Sequence, residues 1–126
     1  MQYIYKVKAS CEFCASVMLG DISAECAQPH GYTYLVEAVV SYNNITSSVG
    51  LDYNLLGSKL QDICQQLDYC HLNDNLLLSG IEPSCENVAK IILEYLVDKL
   101  SLEPGLEICI ELSTRKGRGV SVSCIL

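Results

Sequence analysis

Histidine occurs only twice in this 126-residue chain, at His30 and His71; tryptophan is absent and phenylalanine occurs once. A metal centre built on three imidazoles is therefore out of reach of one copy. Basic residues are also scarce: eight Lys and Arg against fifteen Asp and Glu leave a net charge of −7. That balance argues against a nucleic-acid partner bound through phosphate neutralisation. No apolar run approaches the roughly 20 residues that span a bilayer, and Met1 leads straight into alternating sequence rather than a signal peptide. The expectation is a soluble, cytoplasmic protein without a membrane partner. Its length suits a single domain over residues 1–126 with a substantial core.

Cysteine and tyrosine, with eight residues each, are what the chain does have. Eight cysteines invite a disulfide framework. Their placement resists it, because Cys64, Cys85, Cys109 and Cys124 sit inside regular helical or strand patterns, where Cys acts as a small hydrophobe. Free thiols in a reducing compartment are expected.

Residues 3–13 alternate, with Tyr3, Tyr5, Val7, Ala9, Cys11 and Phe13 on one face, which predicts a strand. Residues 14–31 lose the pattern and read as a long loop. A second strand is expected from Tyr32 to about Tyr42, followed by a turn region through Asn43, Asn44, Ser47, Ser48 and Gly50. Asp52 is a plausible N-cap for a helix to about Leu67, with an apolar stripe of Leu56, Leu60, Ile63, Cys64 and Leu67. Gly57 weakens that helix by roughly 1 kcal/mol relative to Ala. Asp68 to Glu82 reads as irregular. Pro83-Ser84 opens a second helix, its expected stripe being Val88, Ile91, Ile92, Tyr95 and Leu96. A closing hairpin runs from Leu106 to Leu112 and from Gly119 to Leu126. The order strand, strand, helix, helix, strand, strand predicts an α+β domain, a four-stranded antiparallel sheet with both helices on one face. Its open edges call for pairing, most economically by further copies that continue the sheet into a barrel.

The stretch with most chemistry is Cys26-Ala27-Gln28-Pro29-His30-Gly31-Tyr32. A thiol and an imidazole four residues apart are the two groups most often used for attack or proton transfer near neutral pH. The same residues also read as a buried thiol, a surface histidine and an ordinary loop glycine. A zinc set of Cys11, Cys14, Cys26 and His30 is chemically legitimate. Against it, an odd spacing turns Cys11 and Cys14 to opposite faces of a strand that reaches Cys14.

Four motifs in order resemble the 6-pyruvoyl-tetrahydropterin synthase family, including its relative 6-carboxytetrahydropterin synthase. Cys26-x-x-x-His30-Gly31 looks like the family's Cys-x-x-x-His-Gly-His. Gly50-Leu51-Asp52-Tyr53 resembles Gly-x-x-Asp-Phe, and Leu67-Asp68-Tyr69-Cys70-His71-Leu72-Asn73 resembles Leu-Asp-His-x-x-Leu-Asn. Pro83-Ser84-Cys85-Glu86-Asn87 is similar to Pro-Thr-x-Glu-Asn. The resemblance implies a tunnelling fold whose copies close a barrel, as trimer or tetramer rings or a hexamer. It implies a pterin site at subunit interfaces, in tetrahydropterin or queuosine biosynthesis, and a lyase reaction that eliminates triphosphate from dihydroneopterin triphosphate. It also implies a zinc held by three His, a Cys with an Asp–His pair for proton transfer, and a Glu that anchors the pterin ring.

Carried over residue by residue, the match is partial. His30 takes one zinc position, the second falls on Tyr32, and the first falls on Ala15 or, in a shifted alignment, Val17. Zinc is therefore doubtful and no resident cofactor is expected. Cys26 and Asp68 fit the relay, but its His is Tyr69, with His71 two residues on. Glu111 is the chosen pterin anchor, able to accept two hydrogen bonds, with Glu107 as fallback. Three readings follow: a pterin synthase with a rebuilt site, a metal-free pterin enzyme resembling dihydroneopterin aldolase with Tyr32 and Tyr69 as acid–base groups, or a non-catalytic pterin or purine binder.

Overall fold

A computed structural model describes residues 1–20, 23–43 and 50–126. Two 13-residue strands, β1 (Tyr5–Val17) and β2 (His30–Tyr42), pair antiparallel along their whole length. Helix α1 (Tyr53–Leu67) follows, then the two-residue β3 (Cys70–His71), two 3-10 turns, helix α2 (Cys85–Lys99) and the hairpin β4 (Glu107–Thr114) and β5 (Gly119–Ile125). The sheet order is β3-β1-β2-β4-β5. The α+β architecture is as expected, with one strand more. β3 pairs parallel to β1 at Ala15 and Ser16 alone, too short a run to leave a periodic signal.

The first strand continues past Phe13, because Ala15 and Val17 extend the inward alternation and are buried with it. The expected loop 14–31 is shortened accordingly, and His30 and Gly31 belong to β2. Much of the expected turn between Asn43 and Gly50 lies outside the described residues. Asp52 caps α1 by accepting from Asn54 N at 2.8 Å, and the stripe Leu56, Leu60, Ile63, Cys64 and Leu67 is buried. Ser84 caps α2 by accepting from Asn87 N, with Glu86 at the positive end of the dipole. In α2 the buried stripe is Val88, Ala89, Ile92, Leu93 and Leu96, so Ala89 and Leu93 replace the expected Ile91 and Tyr95 at its centre.

Both helices cover the face bearing Phe13, Tyr34, Val36, Ala38, Val40, Ile108, Ile110 and Leu112, and no charged side chain is buried among the described residues. Phe13 and Tyr34 stack at 4.7 Å. Burial, with Cys85 and Tyr32 nearby, pushes the Tyr34 phenol above its ordinary range. The expectation of free thiols throughout is corrected at one pair: the Cys11 and Cys64 sulfurs are joined across β1 and α1. No helix among the described residues is long and apolar enough to cross a membrane.

Candidate functional site

The segment after α1 is fastened to the edge of β1 by side chains that imitate strand pairing. Asp68 Oδ1 accepts from Cys14 N at 2.8 Å, and Tyr69 N donates to Cys14 O at 2.7 Å. Asn73 completes the series, accepting from Met18 N at 2.8 Å and donating to Met18 O at 3.0 Å. Between these clamps His71 lies opposite Ser16, and its Nδ1 is 2.8 Å from Ser16 Oγ. Tyr69 is held with φ at 53°, a left-handed conformation rare for a residue with a Cβ, and its side chain is 88% exposed. Such strain persists where neighbouring bonds fix it, as the two bonds to Cys14 do.

A cleft of about 630 Å³ opens here, lined by Cys14, Ser16, Thr33, Tyr69 and His71 and bounded by Gly31 and Tyr32. The expected site residues Asp68, Tyr69, His71 and Tyr32 thus gather at one corner of the sheet. Ser16 and Thr33 join them without having been singled out, and Cys14, considered in the sequence only as a metal ligand, joins them too; the signal was the unbroken alternation past Phe13. Cys26 does not line this cleft. Its backbone ties the loop back, donating to Ser23 Oγ and accepting from Leu19 N. Among the described residues its thiol makes no hydrogen bond.

Glu111 stands on the helix-free face, directly across from Glu37. It lines a second cleft of about 440 Å³ with Ser10, Glu12, Glu37 and Ser113. Alternation places Cys14 and Ser16 on this same face, two and three rows along the sheet from the row of Ser10, Glu37 and Glu111. Glu107, the fallback anchor, is exposed at the start of β4. Cys109 sits between the two glutamates, and burial, then Glu111, Glu107 and Glu37, push its thiol up while Lys6 opposes them.

His30 begins β2 opposite Val17, and Tyr32 lies opposite Ala15. All four belong to the helix-side alternation. The His30 and Tyr32 rings meet edge to face at 5.0 Å, and Tyr32 meets Tyr34 similarly at 5.6 Å. His30 Nδ1 is 2.9 Å from Gln28 O, while Nε2 is sealed from solvent without a partner. As a zinc site this set fails. Either reading of the missing first ligand lands on a buried apolar side chain, Val17 or Ala15, and the second on a phenol. Among the described residues no three His, Cys, Asp or Glu come together for a metal. The Cys11, Cys14, Cys26 and His30 set fails too, since Cys11 is bonded to Cys64 and Cys14 faces the other side of the strand.

The family model described as 6-pyruvoyl tetrahydropterin synthase matches residues 6–123. The chain belongs to that family. Solved 6-pyruvoyl tetrahydropterin synthases share its fold. The Caenorhabditis elegans structure is 18% identical with a TM-score of 0.72, covering 99% of this chain and 97% of its own. The Plasmodium falciparum structure is 15% identical with a TM-score of 0.76, covering 98% and 99%. A 74-residue stretch, 59% of the chain, is 31% identical to merozoite surface protein 1 of Plasmodium yoelii yoelii, spanning 4% of that protein's length. Set against the motifs that a 6-pyruvoyl tetrahydropterin synthase resemblance implies, Asp68 and Asn73 here are fasteners of the fold, and the three-His metal set is reduced to His30.

Proposed function

We propose that the chain binds a pterin-type heterocycle in the cytoplasm, at the boundary between copies of itself, and acts on it with protein acid–base groups rather than a resident zinc. The observation that carries this reading is the Ser16–His71 pair at 2.8 Å inside a cleft of about 630 Å³, with Tyr69 standing exposed at its mouth. A pocket of that size suits a small planar ligand. His71 and Tyr69 are the proton-transfer groups in this reading; Asp68 supports them by tying the segment to Cys14 N, and Cys26 keeps the family's matching position but stands outside the cleft. Tyr32 lines the pocket, and Glu111 anchors amino and ring N–H groups with its two carboxylate oxygens.

Assembly supports the boundary. Apart from Ala15 and Ser16, the outer edge of β1 has no strand partner among the described residues, and neither has the outer edge of β5. Laying β5 of one copy against β1 of the next would close a ring of trimer, tetramer or hexamer type.

The family reaction, triphosphate elimination from dihydroneopterin triphosphate, is the first activity to assay. The donor set around His30 favours a second reading, a metal-free reaction of the dihydroneopterin-aldolase type. A tyrosine starts with a pKa near 10, so such chemistry needs help from its surroundings. Triphosphate release supports the first, and glycolaldehyde from dihydroneopterin supports the second. Saturable neopterin or guanine binding without either product assigns the chain to the non-catalytic pterin or purine binders. No binding of any of these compounds contradicts the proposal.

A further inference from the structure

The helix-free face of the sheet separates hydrogen-bond donors from acceptors. The cleft of about 630 Å³ at its corner offers the hydroxyls of Ser16, Thr33 and Tyr69, the Cys14 thiol and the His71 ring. No Asp or Glu among the described residues lines it, in a chain that has fifteen. Asp68, next to Tyr69 in sequence, has its Oδ1 engaged by Cys14 N. The cleft of about 440 Å³ is the opposite, with the carboxylates of Glu12, Glu37 and Glu111 in its wall. The Ser16–His71 pair adds one unengaged hydrogen to the first cleft in either tautomer. If Nδ1 accepts from Oγ, the hydrogen is on Nε2; if Nδ1 donates, it is on the Ser16 hydroxyl.

A cation stands at the boundary between the two clefts. Arg115 follows Thr114, which pairs with Tyr34, so it begins level with Thr33 of the first cleft. Its guanidinium reaches across β2 to Glu12 of the second, with Nη2 at 3.3 Å from both carboxylate oxygens. Cys14 is one row beyond Glu12 on the same face, about 7 Å along the strand. The two charged side chains are 67% and 53% exposed, and so open an ion pair contributes little to the fold. Lys116 and Arg118 share the exposed turn, so three of the chain's eight Lys and Arg fall within four positions. Lys6 and Lys8, on the same face, stand toward its far end. A chain of net charge −7 repels anions in general, and this corner gathers cations and donors against that field.

We propose that the acid-free cleft is an oxyanion site that takes the phosphate tail of a ligand, and that Arg115 leaves Glu12 to clamp it. A phosphate offers acceptors alone and presents two oxygens at once to the guanidinium fork. Glu12 holds that fork at the rim while the cleft is empty. A donor-rich ring over Glu111 and an acceptor-only tail over Ser16, Thr33 and His71 give one ligand two ends of opposite chemistry. The ring end rests on the reading given under Proposed function; the oxyanion end stands apart from it.

The test measures binding of neopterin, neopterin triphosphate and inorganic tripolyphosphate to the full chain by calorimetry at fixed ionic strength. The triphosphate should bind about tenfold or more tighter than neopterin, and tripolyphosphate should displace it. Arg115→Gln should weaken the triphosphate about tenfold, the scale of one lost charge-assisted hydrogen bond, and leave neopterin within about twofold. Glu12→Gln frees the guanidinium and should tighten the triphosphate about two- to fivefold, the worth of an exposed ion pair. Glu94→Gln makes the same charge change at an exposed position on α2 and should leave the triphosphate within about twofold. Weakening by both Arg115→Gln and Glu12→Gln would make their pair a strut of the fold and overturn the proposal. An unchanged Arg115→Gln protein, or a Glu94→Gln gain equal to that of Glu12→Gln, overturns it as well. Equal affinity for neopterin and its triphosphate overturns it and leaves the heterocycle reading standing. Tripolyphosphate that binds through Arg115, with no binding of neopterin, upholds the oxyanion site and removes the ring reading; no binding of either probe removes both.

Discussion

Asp68 directs a carboxylate oxygen at the backbone of Cys14, and this decides what its replacement should do. Asp68→Ala leaves that N–H unpaired at the edge of β1 and should cost about 1–3 kcal/mol in urea unfolding. Asp68→Asn keeps an acceptor and should cost clearly less; equal losses would mean that the negative charge, not the acceptor, is what matters. The thiols give a pH prediction. Burial, with Glu86 nearby, raises Cys85, and Cys109 is raised as described above. Both groups stay protonated longer in the folded chain than in the unfolded one. Their stabilisation is complete below the ordinary thiol pKa of about 8.5 and is lost as the pH rises through the raised folded values. Melting temperature should therefore be flat through neutral pH and fall on the alkaline side, and replacing both by Ala should soften that fall. The sequence made the chemistry-bearing residues visible singly, as Cys26, His30, Asp68, Tyr69, His71 and Glu111. It could not reveal that Asp68 is occupied by backbone or that Ser16 meets His71, because those contacts join residues more than fifty positions apart.

At the scale of elements, glycine separates two cases. Gly57 lies on α1 with the nearest outside atom, Ala9 Cβ, at 3.8 Å from where its own Cβ would be. Gly57→Ala should fit and stabilise by about 0.5–1 kcal/mol, measured by chemical denaturation. Gly119 opens β5, and a Cβ there would run into the Leu112 carbonyl and the backbone of Ser113. Gly119→Ala should destabilise by about 1–3 kcal/mol, and an unchanged midpoint would contradict the close hairpin approach. Helices and hairpin were legible because period and capping agree: Asp52, Ser84 and the buried Leu positions all point one way. β1 was cut short because Ala15 and Val17 are separated by Ser16 and follow a Cys, a weak local signal beside a strong one. In α2, apolar residues on adjoining faces made Ile91 and Tyr95 look as inward as Ala89 and Leu93, and only packing against the sheet separates them.

For the whole molecule, the sheet ends in two unlike edges. One is β1, led by the exposed Tyr3, Ile4 and Tyr5; the other is β5, which closes on an Ile125 that is 72% exposed. Apolar residues beside unpaired strand edges favour association over a free monomer. The account joins that assembly to a heterocycle pocket from which the three-imidazole metal set has gone. Native mass spectrometry of the protein, incubated with zinc and neopterin and then exchanged into volatile buffer, measures both at once. A closed ring of copies carrying neopterin and no zinc is the predicted result; a monomer, or a ring whose mass includes zinc on each chain, would contradict it.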